Sequence, residues 1–203
     1  MTQLLFISVG LVVGTVVLAG VLGIVFYNRL VTLRERFRNA FAQIDVQLKR
    51  RHDLIPNLVE ATKGYLAHER ETLEKVIAAR NAAVTAVDKA AADPTDKAAV
   101  RQAASAENSL VALLGQFRII QEDYPDLKGD ATVRQLMEEL TSTENRIAFA
   151  RQHYNDATMT YNAYRQSVPQ VFVANAAGFG PAELFEVNDP SEREAVAVDL
   201  GRG

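Results

Sequence analysis

Four charged side chains interrupt otherwise apolar helical stripes: Arg80, Glu107, Glu144 and Arg151. Carboxylates among apolar neighbours have two chemical uses. They hold a metal, as the glutamates and Glu-x-x-His pairs of di-iron bundles do, or they meet a cation and fix how helices align. No glutamate in this chain has a histidine three residues later, which favours the ion network. With residue 91 set opposite 96 and 122 opposite 130, counting along the helices brings Arg80, Glu107 and Glu144 to one level. The reading therefore predicts a core ion cluster of these three residues.

Other reactive chemistry is scarce. His52, His68 and His153 lie far apart and read as surface or kink residues rather than ligands. The absence of cysteine excludes disulfides, thiolate nucleophiles and cysteine-based zinc or iron–sulfur sites. There is no Gly-rich phosphate loop, no G-x-S-x-G and no H-E-x-x-H. A net charge of −3 gives no bulk attraction to nucleic acid. We expect no catalytic residue, no cofactor, no metal, no small-molecule substrate and no nucleic-acid partner.

The elements that would carry these residues are helical. Leu4 to Phe26 contains no charged side chain. At 1.5 Å per residue this run spans about 34 Å, enough for the hydrocarbon core of a bilayer. Tyr27 ends it where aromatic residues favour the interface. Met1-Thr2-Gln3 is not basic and the run is too long for a cleaved signal peptide, so we expect an anchor. Arg29, Arg34, Arg36 and Arg38 follow it while no basic residue precedes it, which predicts an outer N-terminus and a cytoplasmic main domain. Gly10 and Gly14 give the small-xxx-small spacing that lets membrane helices approach closely.

Beyond the anchor, apolar residues recur at steps of three and four to about residue 90, through Leu30, Leu33, Phe37, Phe41, Ile44, Leu48, Ile55, Leu58, Leu66, Leu73 and Val87. This predicts one very long helix or two nearly collinear ones, kinked near His52 to Pro56. Thr95 is the expected N-cap of a second helix over 96–122, Tyr124 to Gly129 a turn, and 130–166 a third helix. The fold expected is all-α: an N-terminal transmembrane helix plus a long-helix antiparallel bundle, three main helices running up, down and up, and a short C-terminal helical segment. The domain division is 1–27 (short outer N-terminus and membrane helix), 28–187 (helical bundle) and 188–203 (mobile tail). Unequal helix lengths leave Phe37, Phe41, Ile44 and Leu48 projecting. That stripe would be a stalk, or a surface covered by another copy or by the C-terminal segment.

The basic run Lys49-Arg50-Arg51 would stand about 35 Å from the membrane, too far to grip headgroups. It is expected to pair with Asp45 and Asp53, or with a partner. Ile44 to Arg51 and Asp53 to Glu60 resemble the signature of the LemA family. Lys63-Gly64-Tyr65, His68-Glu69, Ala79-Arg80, Tyr124 to Lys128, Thr143-Glu144-Asn145, Ala150-Arg151, Tyr154-Asn155 and Tyr161-Asn162 follow in family order. The resemblance covers about residues 1 to 187, with Val168-Pro169 where the family tends to place an aromatic before the proline. It implies a bacterial inner-membrane protein with a cytoplasmic helical bundle and no established enzyme chemistry. A magnetosome-associated relative points toward membrane organisation.

Two functions follow as expectations. The first is a non-enzymatic, membrane-anchored scaffold or adaptor, self-assembling as a homo-oligomer. Its contact patch would comprise Asp45, Gln47, Lys49, Arg50, Arg51, Asp53, Pro56, Asn57 and Glu60, joined by Tyr124, Pro125, Asp126 and Lys128. The alternative is a regulatory partner of a membrane protease or sensor kinase in a heteromeric complex.

Overall fold

The computed structural model describes residues 2–186; the expected tail, 188–203, lies outside the described residues. Every regular element among them is helical. Helix α1 spans Thr2–Thr62 and passes through Pro56 without interruption. Its apolar N-terminal stretch, long enough to cross a membrane, is exposed along nearly all its length, and Leu30 is the first residue enclosed by the bundle. From there the inward positions follow the helical repeat: Leu30, Leu33, Phe37, Phe41, Ile44, Leu48, Ile55 and Leu58 are all at most 1% exposed.

The long first helix expected to reach residue 90 is corrected. It ends at Thr62, whose hydroxyl donates to the Leu58 and Val59 carbonyls. A turn through Lys63-Gly64-Tyr65 and a 3-10 turn at Ala67–Glu69 reverse the chain. The apolar spacing hides this reversal, because buried Leu66 and Leu73 keep steps compatible with one continuous helix. Gly64 was the available signal, since glycine is the poorest helix former after proline.

Helix α2 (Arg70–Ala92) therefore runs back beside α1. Its Arg80 meets His52, and its Asp88 lies 3.9 Å from Lys49. Helix α3 (Lys97–Glu122) turns upward again. Its N-cap is Asp96, which accepts from the Ala98 and Ala99 amides, and not Thr95, whose hydroxyl donates to Asp93. The Tyr124 turn forms one helical turn, α4 (Pro125–Gly129), and α5 (Ala131–Gln166) then descends along α1 from its Asp130 cap. The bundle is up-down-up-down with four main helices, not up-down-up with three. One missed turn inverts the direction of everything after it.

That inversion decides what covers the Phe37–Leu48 stripe. Tyr154 and Tyr161 of α5 pack their rings on Phe37, with Tyr154 also 5.4 Å from Phe41 between centroids. Helix α6 (Gln170–Ala176) crosses near the base. Gly178, at φ +72°, ends it in the left-handed conformation that glycine adopts without strain. Residues 179–186 then return as an extended strap, and Phe185 lies 6.1 Å from Phe41. The stripe is thus buried within the chain by α5 and the strap.

The strap is held by a repeat in α5. Asn155 gives its amide to the Phe185 carbonyl and accepts from the Phe185 amide. Asn162 does the same for Ala182, at 2.8 and 2.9 Å. Tyr154 and Tyr161 donate to the Glu183 and Gly180 carbonyls. Each pair is seven residues apart on the helix, about 10.5 Å, and three apart on an extended chain, about 10 Å, so the spacings match. Burial pushes the Tyr154 hydroxyl up to about 12, so it remains a donor at physiological pH. Removing the amide in Asn162→Ala strands two backbone groups of the strap. We expect faster hydrogen exchange across 179–186 and a loss of about 1–3 kcal/mol in urea unfolding of the full chain. Unchanged strap exchange would refute the ladder.

Candidate functional site

Glu107 is fully buried, and the structure brings it partners that the sequence reading placed elsewhere. Arg51 forms a buried ion pair with one carboxylate oxygen, and His52 Nε2 lies 2.7 Å from the other. Both come from consecutive positions of α1, and both side chains are about 3% exposed. Arg80 closes the arrangement from α2 by donating from Nε to the His52 carbonyl at 3.0 Å. That carbonyl is the one left without a helical donor, because position 56 is a proline with no N–H. Arg80 thus supplies the hydrogen bond that Pro56 removes.

These groups form a polar layer between two apolar cores. Leu30 to Leu48, Ala86 to Ala90, Tyr154, Tyr161 and Phe185 lie on the side of the apolar N-terminal run. Leu54 to Leu66, Leu73, Leu110 to Phe117, Leu127 and Leu140 lie beyond it. The predicted Arg80–Glu107–Glu144 cluster is corrected accordingly. Arg80 and Glu107 do sit at the level of His52, but they meet His52 and not each other. Glu144 is half-buried and pairs with Arg118 at 2.7 Å. Arg151 is half-buried. His52, read as a surface or kink residue, is a buried partner of Glu107. The missing information was which α1 residues face the layer.

Burial raises the Glu107 carboxyl, but the His52 hydrogen bond and the Arg51 charge outweigh it and hold the group below its ordinary value. Among the described residues no group of three or more histidines, aspartates and glutamates is placed to hold a metal. The layer can hold charge and fix register.

The expected contact patch divides. Lys49, Arg50, Asp53, Pro56, Asn57 and Glu60 are exposed along the outer strip of α1, and Asp45 and Gln47 are half-buried. Arg51 leaves the patch, because it points into the layer. Lys49 pairs with Asp45 at 2.8 Å, and that bond raises its ammonium above the usual range. At the far end Pro125, Asp126 and Lys128 are exposed and Tyr124 is half-buried. Lys128 is paired with Glu122, and the Tyr65 hydroxyl donates to Asp130 beside this turn.

Sequence reasoning missed an apolar groove between α1 and α5. Ala42, Gln43, Val46 and Gln47 line one side, and Arg146, Phe149, Ala150 and His153 the other, of a shallow, solvent-open groove of about 710 Å³. Val46 is 60% exposed and Phe149 75%. The available signal was Phe149 itself, an aromatic outside the inward positions Ile147, Tyr154 and Tyr161 of its helix.

Comparisons with known proteins place these features in a family setting. A family model described as the LemA family matches residues 40–200, so the likeness starts later and ends later than the motif reading suggested. Magnetosome protein MamQ 2 and Magnetosome protein MamQ 1 of Paramagnetospirillum magneticum are each 26% identical over 189 residues, covering 86% of this chain and 70% of the relative. Protein LemA of Metamycoplasma hominis is 24% identical over 172 residues, covering 85% of this chain and 73% of its own.

Two outcomes test the layer. Glu107→Leu leaves a buried arginine unpaired and should cost about 3–5 kcal/mol in urea unfolding, while Glu107→Leu with Arg51→Met should recover most of it. Because the folded carboxyl is depressed, its stabilisation is complete above the unfolded value of about 4.3 and is lost as pH falls through the folded one. Acid unfolding of Glu107→Gln should therefore show a shallower pH dependence below that point than the parent chain. Equal slopes would refute the assignment.

Proposed function

The chain belongs to the LemA family, and on that premise we propose that it is a non-enzymatic, membrane-anchored helical scaffold that assembles with copies of itself and organises the membrane carrying it. The observation that carries this reading is the Val46–Phe149 groove on α1, the same helix whose N-terminal stretch is long and apolar enough to cross a membrane. Among the described residues nothing covers that stretch. A helix continuous from span to groove sets Val46 about 28 Å above Tyr27 in every copy. Copies confined to one bilayer then meet with their grooves at equal height and parallel, which lowers the entropic cost of a lateral contact. Gly10 and Gly14 have open space around them and offer a second contact within the bilayer.

Orientation follows the flanking charge. Arg29, Arg34, Arg36 and Arg38 beside the span favour a cytoplasmic bundle and an outer N-terminus, and the family resemblance favours the inner membrane of a bacterial cell. The magnetosome relatives support a role in membrane organisation.

Mass photometry of the full chain in native nanodiscs tests the assembly. The parent should give several copies per disc, and Val46→Asp with Phe149→Asp should give one, with helicity unchanged. A strictly monomeric parent that co-purifies with nothing would refute the scaffold. A fixed one-to-one complex with a membrane protease or sensor kinase would replace it with the regulatory-partner reading. Reporter fusions at the C-terminus read the orientation: fluorescent protein should mature there, and alkaline phosphatase should stay inactive.

A further inference from the structure

Outside the span, the longest stretch without a charged residue runs from Gln166 to Ala182. The fold brings this stretch to the membrane end of the bundle. Phe179 packs its ring 5.5 Å from Tyr27, the residue that closes the apolar run of α1, and the Arg34 guanidinium lies over the same ring at 5.0 Å. Val173 and Val31 both pack against the core cluster that contains Leu30, Leu33 and Phe179. Helix α6 is therefore fixed within about one turn of the point where α1 leaves the bilayer.

Its two faces differ. Ala174 is fully buried, and Val171 and Val173 are half-buried. Phe172 is 69% exposed and Val168, four residues earlier, 76%. Outside the span, only Ile119 and Phe149 among the large apolar side chains of the described residues are as open. No charged neighbour in the segment offsets this exposure. In water it is unfavourable, whereas at a membrane interface the same side chains are stabilised.

We propose that α6 and the turn before it form a second membrane contact, with Phe172 and Val168 inserted at the headgroup–acyl boundary of the same leaflet that α1 enters. The occupant is the lipid surface itself, because Phe179, three residues past α6, packs on Tyr27 at the end of the apolar run of α1 and so keeps this charge-free segment beside it. Together with α1, this contact would fix the tilt and rotation of the bundle, which a single helix does not specify. The inference rests on the membrane placement of α1.

The absence of tryptophan makes the test direct. Phe172→Trp, Val168→Trp, Phe149→Trp and Leu18→Trp are prepared in the full chain and placed in nanodiscs with lipids brominated near the headgroup or at mid-chain. Emission of the Phe172→Trp variant is expected to be blue-shifted and quenched roughly twofold by the shallow bromines. The Val168→Trp variant should behave alike, and the Phe149→Trp variant, held far above the bilayer on the groove, should be quenched by neither set of bromines. The Leu18→Trp variant should be quenched by the mid-chain bromines. Solvent-like emission from both the Phe172→Trp and Val168→Trp variants overturns the proposal. A blue shift without bromine quenching also overturns it, since it gives the face to a protein partner. If the Leu18→Trp variant is unquenched, the membrane placement of α1 fails and the proposal falls with it.

Discussion

A carboxylate taken out of water needs partners, and in this bundle that requirement falls on Glu107. Its charge is held by Arg51 and His52, while Arg80 engages the carbonyl that Pro56 leaves open. The layer ties α1 to α3 directly and to α2 through one hydrogen bond. A buried ion pair adds little net stability over apolar packing, because desolvation offsets attraction. It does penalise misalignment of α1 against α3, since sliding either by one turn strands a buried charge. The apolar cores above and below consist largely of leucine, valine and alanine, which tolerate such slips. Alignment therefore depends on the layer, and burial energy on the cores.

Pro56 gains a different meaning in this setting. In an isolated helix it removes a donor and introduces a clash. Here the unpaired carbonyl becomes the acceptor that a facing helix uses. The cost of the proline and the specificity of the α1–α2 contact are one feature. The strap follows similar logic, with side-chain amides of α5 replacing the strand that an extended segment normally pairs with. Without the strap, the aromatic stripe beside Phe41 would be open to water.

Much of this architecture was legible in the residues. The span, the helical character and the α5 boundaries follow from charge-free length, apolar period and turn residues. The common level of Arg80 and Glu107 follows from hairpin counting. The reversal at Gly64 was not legible, because an apolar repeat records which face is buried and not whether the chain continues. Arg51 reads as surface because it stands in a basic run beside exposed Lys49 and Arg50, and a charged residue is ordinarily solvated. Only the facing Glu107 makes its burial tolerable. Val46 and Phe149 lie on polar faces, where an isolated apolar residue is unremarkable until a second one lies across a groove from it.

The sequence by itself determined a helix long and apolar enough to cross a membrane, the all-helical class and the family, since these depend on local composition, period and short motifs. The tertiary structure alone decided that the bundle has four helices, that the C-terminal strap covers the α1 stripe, and that Glu107 is matched by Arg51 and His52. The physical reason is range. Helix formation and membrane length are properties of neighbouring residues, whereas the partner of a buried charge lies on another helix. Its identity exists only once every intervening turn has set the direction of the chain.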